Sequence, residues 1–115
     1  MDIHFAGSKL WIGLAVSTVC GIIIGVEREL KNKPAGLRSM ILITVGCSLL
    51  TSLAYEMPIL SDHTDPTRII SQIITGIGFL GGGAIIKHED KVLGITTAAF
   101  VWVASAMGIM AGTIS

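Results

Sequence analysis

Four long stretches of this chain contain no charged side chain, and they constrain its fold more than any other feature. They cover residues 10–26, 39–55, 69–86 and 94–114, and none of them holds Asp, Glu, Lys or Arg. Each has about the length that a helix needs to cross a hydrocarbon core of about 30 Å. We therefore predict an all-α, polytopic membrane protein, with four transmembrane helices in two hairpins and a single domain over residues 1–115.

The composition excludes the common soluble classes. Hydrophobic residues make up 51% of the chain and charged residues only 14%, whereas an ordinary soluble domain has about 25% charged residues. The 8 basic and 8 acidic residues cancel, so no net charge attracts nucleic acid. Cys20 and Cys47 lie inside apolar stretches, which predicts small packing residues rather than a disulfide or a metal pair.

The basic residues between the stretches are unevenly distributed. The connections over residues 27–38 and 87–93 carry Arg28, Lys31, Lys33, Arg38, Lys87 and Lys91, whereas the N-terminus and residues 56–68 carry only Lys9 and Arg68. Cytoplasmic loops attract Lys and Arg. We therefore predict that the first and third connections face the cytoplasm and that the N-terminus faces outside.

Glycines four residues apart recur in three of the stretches. The candidates are Gly21 and Gly25, Gly78 and Gly82, and Gly108 and Gly112, with Gly76, Gly81 and Gly83 beside the second pair. Small residues at this spacing let helix backbones approach closely in lipid, which predicts glycine-mediated packing and a homo-oligomer. Consecutive glycines also weaken a helix, so the third helix could instead be broken and expose carbonyls along a polar path.

Polar residues at the ends of the stretches are the candidates for specific roles: Glu27, Arg28, Arg38, Asp65, Arg68, Gln72, Thr96 and Thr97. The run Glu27, Arg28 and Glu29 either anchors the first helix at the interface or provides an internal ion pair, of Glu27 or Glu29 with Arg28 or Arg38. Arg38 is placed to bind the carbonyls that end a neighbouring helix.

The start of the third helix is the second polar region. Asp65, Arg68 and Gln72 are about one turn apart and share one helix face. They either cap and anchor the helix or form a polar patch at the mouth of a pathway. Asp65 followed by Pro66 predicts the first turn of this helix, and Gly94 predicts the start of the fourth.

No motif for catalysis is present in the sequence. The apolar stretches lack the carboxylates that a dehydrating divalent-cation site usually needs, and no nucleophile–base pair or nucleotide motif occurs. We therefore predict a protein that is not an enzyme, with no catalytic residue, no evident cofactor and no assigned metal site.

Three segments together resemble the MgtC/SapB family of membrane proteins. They are GVERE and KPAGLRS within residues 25–39, DPTR and QIITGIGFLGGG within residues 65–83, and GITTAA with Trp102 within residues 94–102. The resemblance covers about residues 10–112, with Gly82 where many members have alanine. Longer members add a further helix and a soluble cytoplasmic domain, which this chain is expected to lack if it ends near Ser115.

The resemblance implies a bacterial inner-membrane protein linked to magnesium homeostasis, low-magnesium survival and virulence. It implies Mg²⁺ as a substrate or signal, and the bilayer and ATP synthase or another membrane protein as partners. Two functions stay open at this point. The protein regulates or binds membrane complexes, or it is a small cation transporter or channel with a glycine-broken third helix.

Overall fold

The described part of the chain is almost entirely helical. The computed structural model describes residues 8–60, 65–88 and 91–114. Its elements are helices α1 (Ser8–Leu30), α2 (Leu37–Leu60), α3 (Pro66–Ala84) and α4 (Ile95–Gly112), with strands β1 (Ile86–His88) and β2 (Lys91–Leu93) between α3 and α4. The predicted helical class is confirmed, with one helix for each charge-free stretch.

The helix bounds differ from the prediction at several ends. α1 and α2 extend beyond the charge-free stretches, to Leu30 and Leu60. Charged residues do not end a helix where it emerges from an apolar environment, because their long side chains reach water. α3 ends at Ala84, short of the predicted residue 86. Ile86 instead pairs with Leu93 in an antiparallel hairpin, which the sequence analysis treated as a plain loop.

The two predicted helix starts are confirmed. Asp65 is the N-cap of α3, its side chain accepts a 3.0 Å hydrogen bond from the Thr67 N–H, and Pro66 occupies the first turn. Gly94 is the N-cap of α4 and has a φ of 92°. The Ala84 carbonyl occupies the place that a Cβ would take there, so the turn into α4 requires glycine.

α2 and α4 form the centre of the bundle. α1 packs against both, and α3 packs against both from another side. Where α2, α3 and α4 meet lies an apolar cluster, whose buried members are Met40, Cys47, Ile73, Ile77, Val101 and Ala104. α3 is thereby fixed along one face only.

Three helices are long and apolar enough to cross a membrane. They cover Leu10–Leu30, Leu37–Tyr55 and Ile95–Gly112, so the chain is a membrane protein. Within the described residues, α3 does not reach the same hydropathy. α3 is less hydrophobic because it contains Arg68, Gln72 and a run of glycines at positions where the other helices have large apolar residues.

Candidate functional site

The glycines of α1 and α4 lie where helices touch. A Cβ added at Gly21 would lie 2.5 Å from the Thr44 hydroxyl oxygen, and one at Gly112 would lie 2.6 Å from the Thr51 Cβ. Gly25 and Gly108 meet α2 just as closely. α2 is therefore held between α1 and α4 at distances that a larger residue would not permit.

The glycines of α3 are placed differently. In the described residues, nothing lies within 4 Å of a Cβ added at Gly76, Gly78, Gly82 or Gly83, and Gly81 has only a 3.7 Å contact with Ala98. The helix also continues through this run to Ala84, so the broken third helix that we considered is not present. Packing through Gly78 and Gly82 stays a prediction about contacts outside this chain.

α1, α2 and α4 turn their hydroxyl groups inward and their large apolar side chains outward. Ser17, Thr44, Ser48, Thr51 and Ser52 are buried, whereas Trp11, Leu42 and Val103 are among the exposed residues. Some buried hydroxyls bond backbone of a neighbouring helix, as Ser48 does with the Gly13 carbonyl at 3.4 Å. This distribution suits a lipid environment, in which polar groups must be satisfied inside the protein.

The outer side of α3 is mixed. The helix buries Ile73 and Ile77 against the bundle, and it exposes the large apolar side chains Ile74, Phe79 and Leu80. We call its exposed polar and glycine positions the open face of α3; they are Ser71, Gln72, Thr75, Gly78 and Gly82. The Thr75 hydroxyl bonds its own helix at the Ser71 carbonyl, at 3.0 Å, and the Gln72 amide has no hydrogen-bond partner among the described residues.

An apolar groove runs between α2 and α3 beside the open face. Its volume is about 560 Å³, and its walls include Leu42, Gly46, Cys47 and Leu80, with Gln72 as its polar residue. The groove widens the surface over which a neighbouring helix could contact α3.

Arg28 forms the second polar centre, at the end of α1. It is only 3% exposed, and its Nη2 donates 2.6 Å hydrogen bonds to the Pro34 carbonyl and the Thr97 hydroxyl. The guanidinium carbon lies 4.5 Å from the centre of the Phe100 ring. Arg28 therefore joins α1, the first connection and the start of α4.

The other charged residues of the first connection bind elsewhere. Glu27 pairs with Lys31 at 3.1 Å on the surface, and Glu29 accepts a 3.0 Å hydrogen bond from the Leu37 N–H at the start of α2. Arg38 is exposed and makes no hydrogen bond within the described chain. The binding of helix-end carbonyls that we predicted for Arg38 stays a prediction, and the carbonyl that Arg28 binds is that of Pro34 in the first connection.

The polar residues of α3 and α4 are divided between the two ends of the bundle. Asp65 caps α3, and the side-chain and backbone hydrogen bonds from Thr67 hold the pKa of its carboxyl below the ordinary value. Arg68 and Gln72 follow on exposed positions of α3. At the other end Thr97 is buried beside Arg28, and Thr96 is exposed. Arg28 thus contacts Thr97, whereas Asp65, Arg68 and Gln72 lie at the other end of the bundle.

No candidate metal site appears in the part of the chain that the structure describes. In those residues, no group of three His, Cys, Asp or Glu side chains converges. Cys20 and Cys47 are free thiols.

The match to known proteins decides the family. The model of the MgtC family matches residues 14–114 of this chain. The chain belongs to the MgtC family. The resemblance predicted from the three polar segments is thereby confirmed.

Three relatives show how this MgtC-family chain compares with longer proteins. "Protein SapB" of Bacillus subtilis (strain 168) is 43% identical over 105 residues, which are 86% of this chain and 45% of the relative. "Putative magnesium transporter YhiD" of Escherichia coli (strain K12) is 37% identical over 105 residues, 87% of this chain and 48% of the relative. "Protein MgtC" of Brucella abortus (strain 2308) is 36% identical over 110 residues, 90% of this chain and 45% of the relative.

The MgtC-family chain spans about half the length of the curated relatives that it matches. No solved structure matches it. The relatives' names include a magnesium transporter and none that denotes an enzyme.

Proposed function

We propose that this MgtC-family protein acts in magnesium homeostasis in the bacterial inner membrane, by contact with membrane proteins rather than by catalysis. The observation that carries the proposal is the open face of α3, where the polar residues Ser71, Gln72 and Thr75 are exposed beside the Phe79 ring. The Thr75 hydroxyl bonds its own helix, but lipid offers no hydrogen bond to the Gln72 amide, which is satisfied only by protein or water. The link to magnesium rests on the family and on the name of the E. coli relative.

The proposal places all four helices across the membrane. α3 has 19 residues, about 28 Å at 1.5 Å per residue, which is close to the thickness of the hydrocarbon core. The basic residues favour a cytoplasmic first and third connection and an N-terminus outside. α3 then crosses the membrane from the second connection, which is outside, to the β1–β2 hairpin, which is in the cytoplasm.

Two kinds of partner fit the open face of α3. Gly78 and Gly82 leave space for the backbone of another helix, and Gln72 can hydrogen-bond across such a contact. A second copy of the chain is one partner, which gives a homo-oligomer. The other partner is a larger membrane complex, such as ATP synthase, and Mg²⁺ is then the signal.

Transport of Mg²⁺ is the second candidate function. The same face supports it, because two copies that meet along α3 would enclose a path lined by Ser71, Gln72 and Thr75. Mg²⁺ gives up its water reluctantly, so a path without carboxylates would have to pass the ion with much of its hydration shell.

Flux and growth measurements separate the two functions. We expect purified protein in liposomes with an entrapped Mg²⁺-sensitive dye to give no flux above empty liposomes. In cells, we expect the wild-type protein to support growth at low magnesium and Gly82→Leu to lose that support. The control is Ala106→Leu, which adds the same bulk at an exposed position of α4, with membrane insertion checked for both variants.

Two results would overturn the interaction proposal. Flux that the wild type supports and Gln72→Ala abolishes would establish transport instead. Full growth support by Gly82→Leu would show that the open face of α3 is not used.

A further inference from the structure

We infer that the end of the bundle where α1 ends and α4 begins holds an anion site for a phosphate group, most simply that of an anionic phospholipid. The site consists of the Thr97 hydroxyl and the first turn of α4, and Arg28 is joined to it by the hydrogen bond to Thr97. It is separate from the open face of α3 and does not depend on the function proposed above.

The first reason is the uncompensated charge of Arg28. The residue is 3% exposed, yet the groups that it contacts, on Pro34, Thr97 and Phe100, are all neutral. Its Nε is buried with no hydrogen-bond partner in the described chain. A buried cation is unfavourable unless an anion and hydrogen bonds balance it.

The nearby carboxylates do not supply that balance. Glu27 is paired with Lys31 at 3.1 Å, and Glu29 accepts the Leu37 N–H at 3.0 Å. Neither lies within ion-pair distance of Arg28 among the residues that the structure describes. The compensating anion therefore has to come from outside this part of the chain.

The second reason is the free hydrogen of the Thr97 hydroxyl. Its oxygen accepts the Arg28 N–H, so the hydroxyl hydrogen remains to be donated. It has no acceptor in the described residues, and Thr97 is only 7% exposed. Thr97 lines a cavity of about 390 Å³, in which an acceptor can lie. Arg28 is not among the lining residues of this cavity and acts on it through Thr97. The bond to Arg28 polarises this hydroxyl as a donor.

The third reason is the start of α4, an 18-residue helix that begins without a side-chain cap. Its N-cap is Gly94, whose carbonyl accepts the Ala98 N–H at 2.8 Å. The first N–H groups of a helix have no partner within the helix, and the helix dipole makes this end positive. Both effects favour an anion here.

The cavity has the polarity of a phospholipid binding site. Ser39 and Thr97 lie near the starts of α2 and α4, and Ile43 and Val101 lie one turn further in. Leu80, about one turn before the end of α3, adds to the apolar wall. A phosphate at the hydroxyl end would leave an acyl chain along the apolar wall. Free phosphate would use the same donors but not that wall.

Thermal unfolding of the full chain in neutral detergent tests the site. We expect phosphatidylglycerol to raise the Tm and phosphatidylcholine at equal concentration to have little effect. Thr97→Val should weaken the phosphatidylglycerol effect, with an apparent Kd about tenfold higher for the loss of one hydrogen bond to a charged group. Its control is Thr113→Val, an exposed threonine at the other end of α4, which should retain the wild-type affinity.

A second pair of variants separates the site from general charge attraction. Arg28→Gln should abolish the phosphatidylglycerol effect, whereas Arg38→Gln removes an equal charge from an exposed position and should keep it. If Arg28→Gln does not fold, Thr97→Val still decides the question. Inorganic phosphate is titrated in parallel, and a Tm increase that Thr97→Val removes would identify free phosphate as the source of the anion.

Equal stabilisation by the two lipids, together with no effect of inorganic phosphate, would overturn the inference. Wild-type affinity in Thr97→Val would overturn it as well.

Discussion

Thr44 illustrates how single residues hold the bundle together. It is fully buried, and its hydroxyl donates a 3.1 Å hydrogen bond to the Ile41 carbonyl of its own helix. Its hydroxyl oxygen faces Gly21 of α1, and its backbone faces Gly108 of α4. A small side chain between two glycines brings three helices together, so van der Waals contact takes the place that large apolar side chains have in a soluble core.

This close contact predicts the effect of adding one methyl group. Gly21→Ala should lower the stability by about 1–3 kcal/mol, because the new Cβ meets Thr44 and the Ile41 backbone. Gly46→Ala is the control, since a Cβ at Gly46 has no atom within 4 Å in the described chain. Thermal unfolding in detergent measures both, and a Gly21→Ala variant as stable as wild type would contradict the close packing.

Asp65 predicts a pH dependence at the start of α3. The side-chain and backbone hydrogen bonds from Thr67 lower the pKa of its carboxyl below the ordinary value in the folded protein. The cap therefore contributes fully above the unfolded value and is lost as the pH falls through the lower folded value. The protection factor of the Thr67 N–H, which is its exchange rate relative to the intrinsic rate at the same pH, should fall over this acidic range, and Asp65→Ala should show the lower protection factor already at neutral pH. Exchange that is the same in Asp65→Ala and wild type at neutral pH would count against the cap.

The sequence indicated which residues were polar but not which would meet. The caps at Asp65 and Gly94 were predictable, because they depend on adjacent residues. The bond between Arg28 and Thr97 joins residues 69 positions apart, and no local pattern reveals such a contact.

At the scale of elements, the helices were predictable because each contains at least 16 consecutive residues without a charged side chain. The β-hairpin was not, because each strand has only three residues and so presents no alternating pattern. The distinct character of α3 also required the structure. Its polar and glycine residues were visible in the sequence, but their position on the side away from α2 and α4 depends on how the helices pack.

The open face of α3 predicts that added bulk affects association and not folding. Gly78→Leu should reduce the oligomer, because no atom of the described chain lies within 4 Å of a Cβ at Gly78 and the leucine would project into the partner. Ala15→Leu, at an exposed position of α1, should leave the oligomer unchanged. Native mass spectrometry from detergent measures both. An unchanged oligomer in Gly78→Leu would remove α3 as the contact.

For the whole molecule, the packing of four helices in the described residues agrees with one domain, and the single-domain assignment itself stays a prediction. So does the topology. The family could be inferred from the three polar segments because their order and spacing are specific. The number of copies and the identity of the partner could not be inferred, because the sequence of one chain does not show which surface contacts the open face of α3.

The four-span topology predicts which connections can be labelled from outside. Ser61→Cys should react with a membrane-impermeant thiol reagent in intact cells, whereas Lys91→Cys should react only after lysis, because α3 crosses between them. A reporter fused within residues 30–34 should be cytoplasmic by the same arrangement. Labelling of both cysteines from the same side would mean that α3 does not cross.

The most direct test of the account is the environment of the open face of α3 in a bilayer. A spin label at Thr75→Cys, in a background of Cys20→Ala and Cys47→Ala, is compared with one at Val103→Cys on the apolar outer side of α4. We predict that dissolved oxygen, which concentrates in lipid, relaxes the label at position 103 strongly and the label at position 75 weakly. Equal, strong relaxation at both positions would show that α3 faces lipid and would contradict the account.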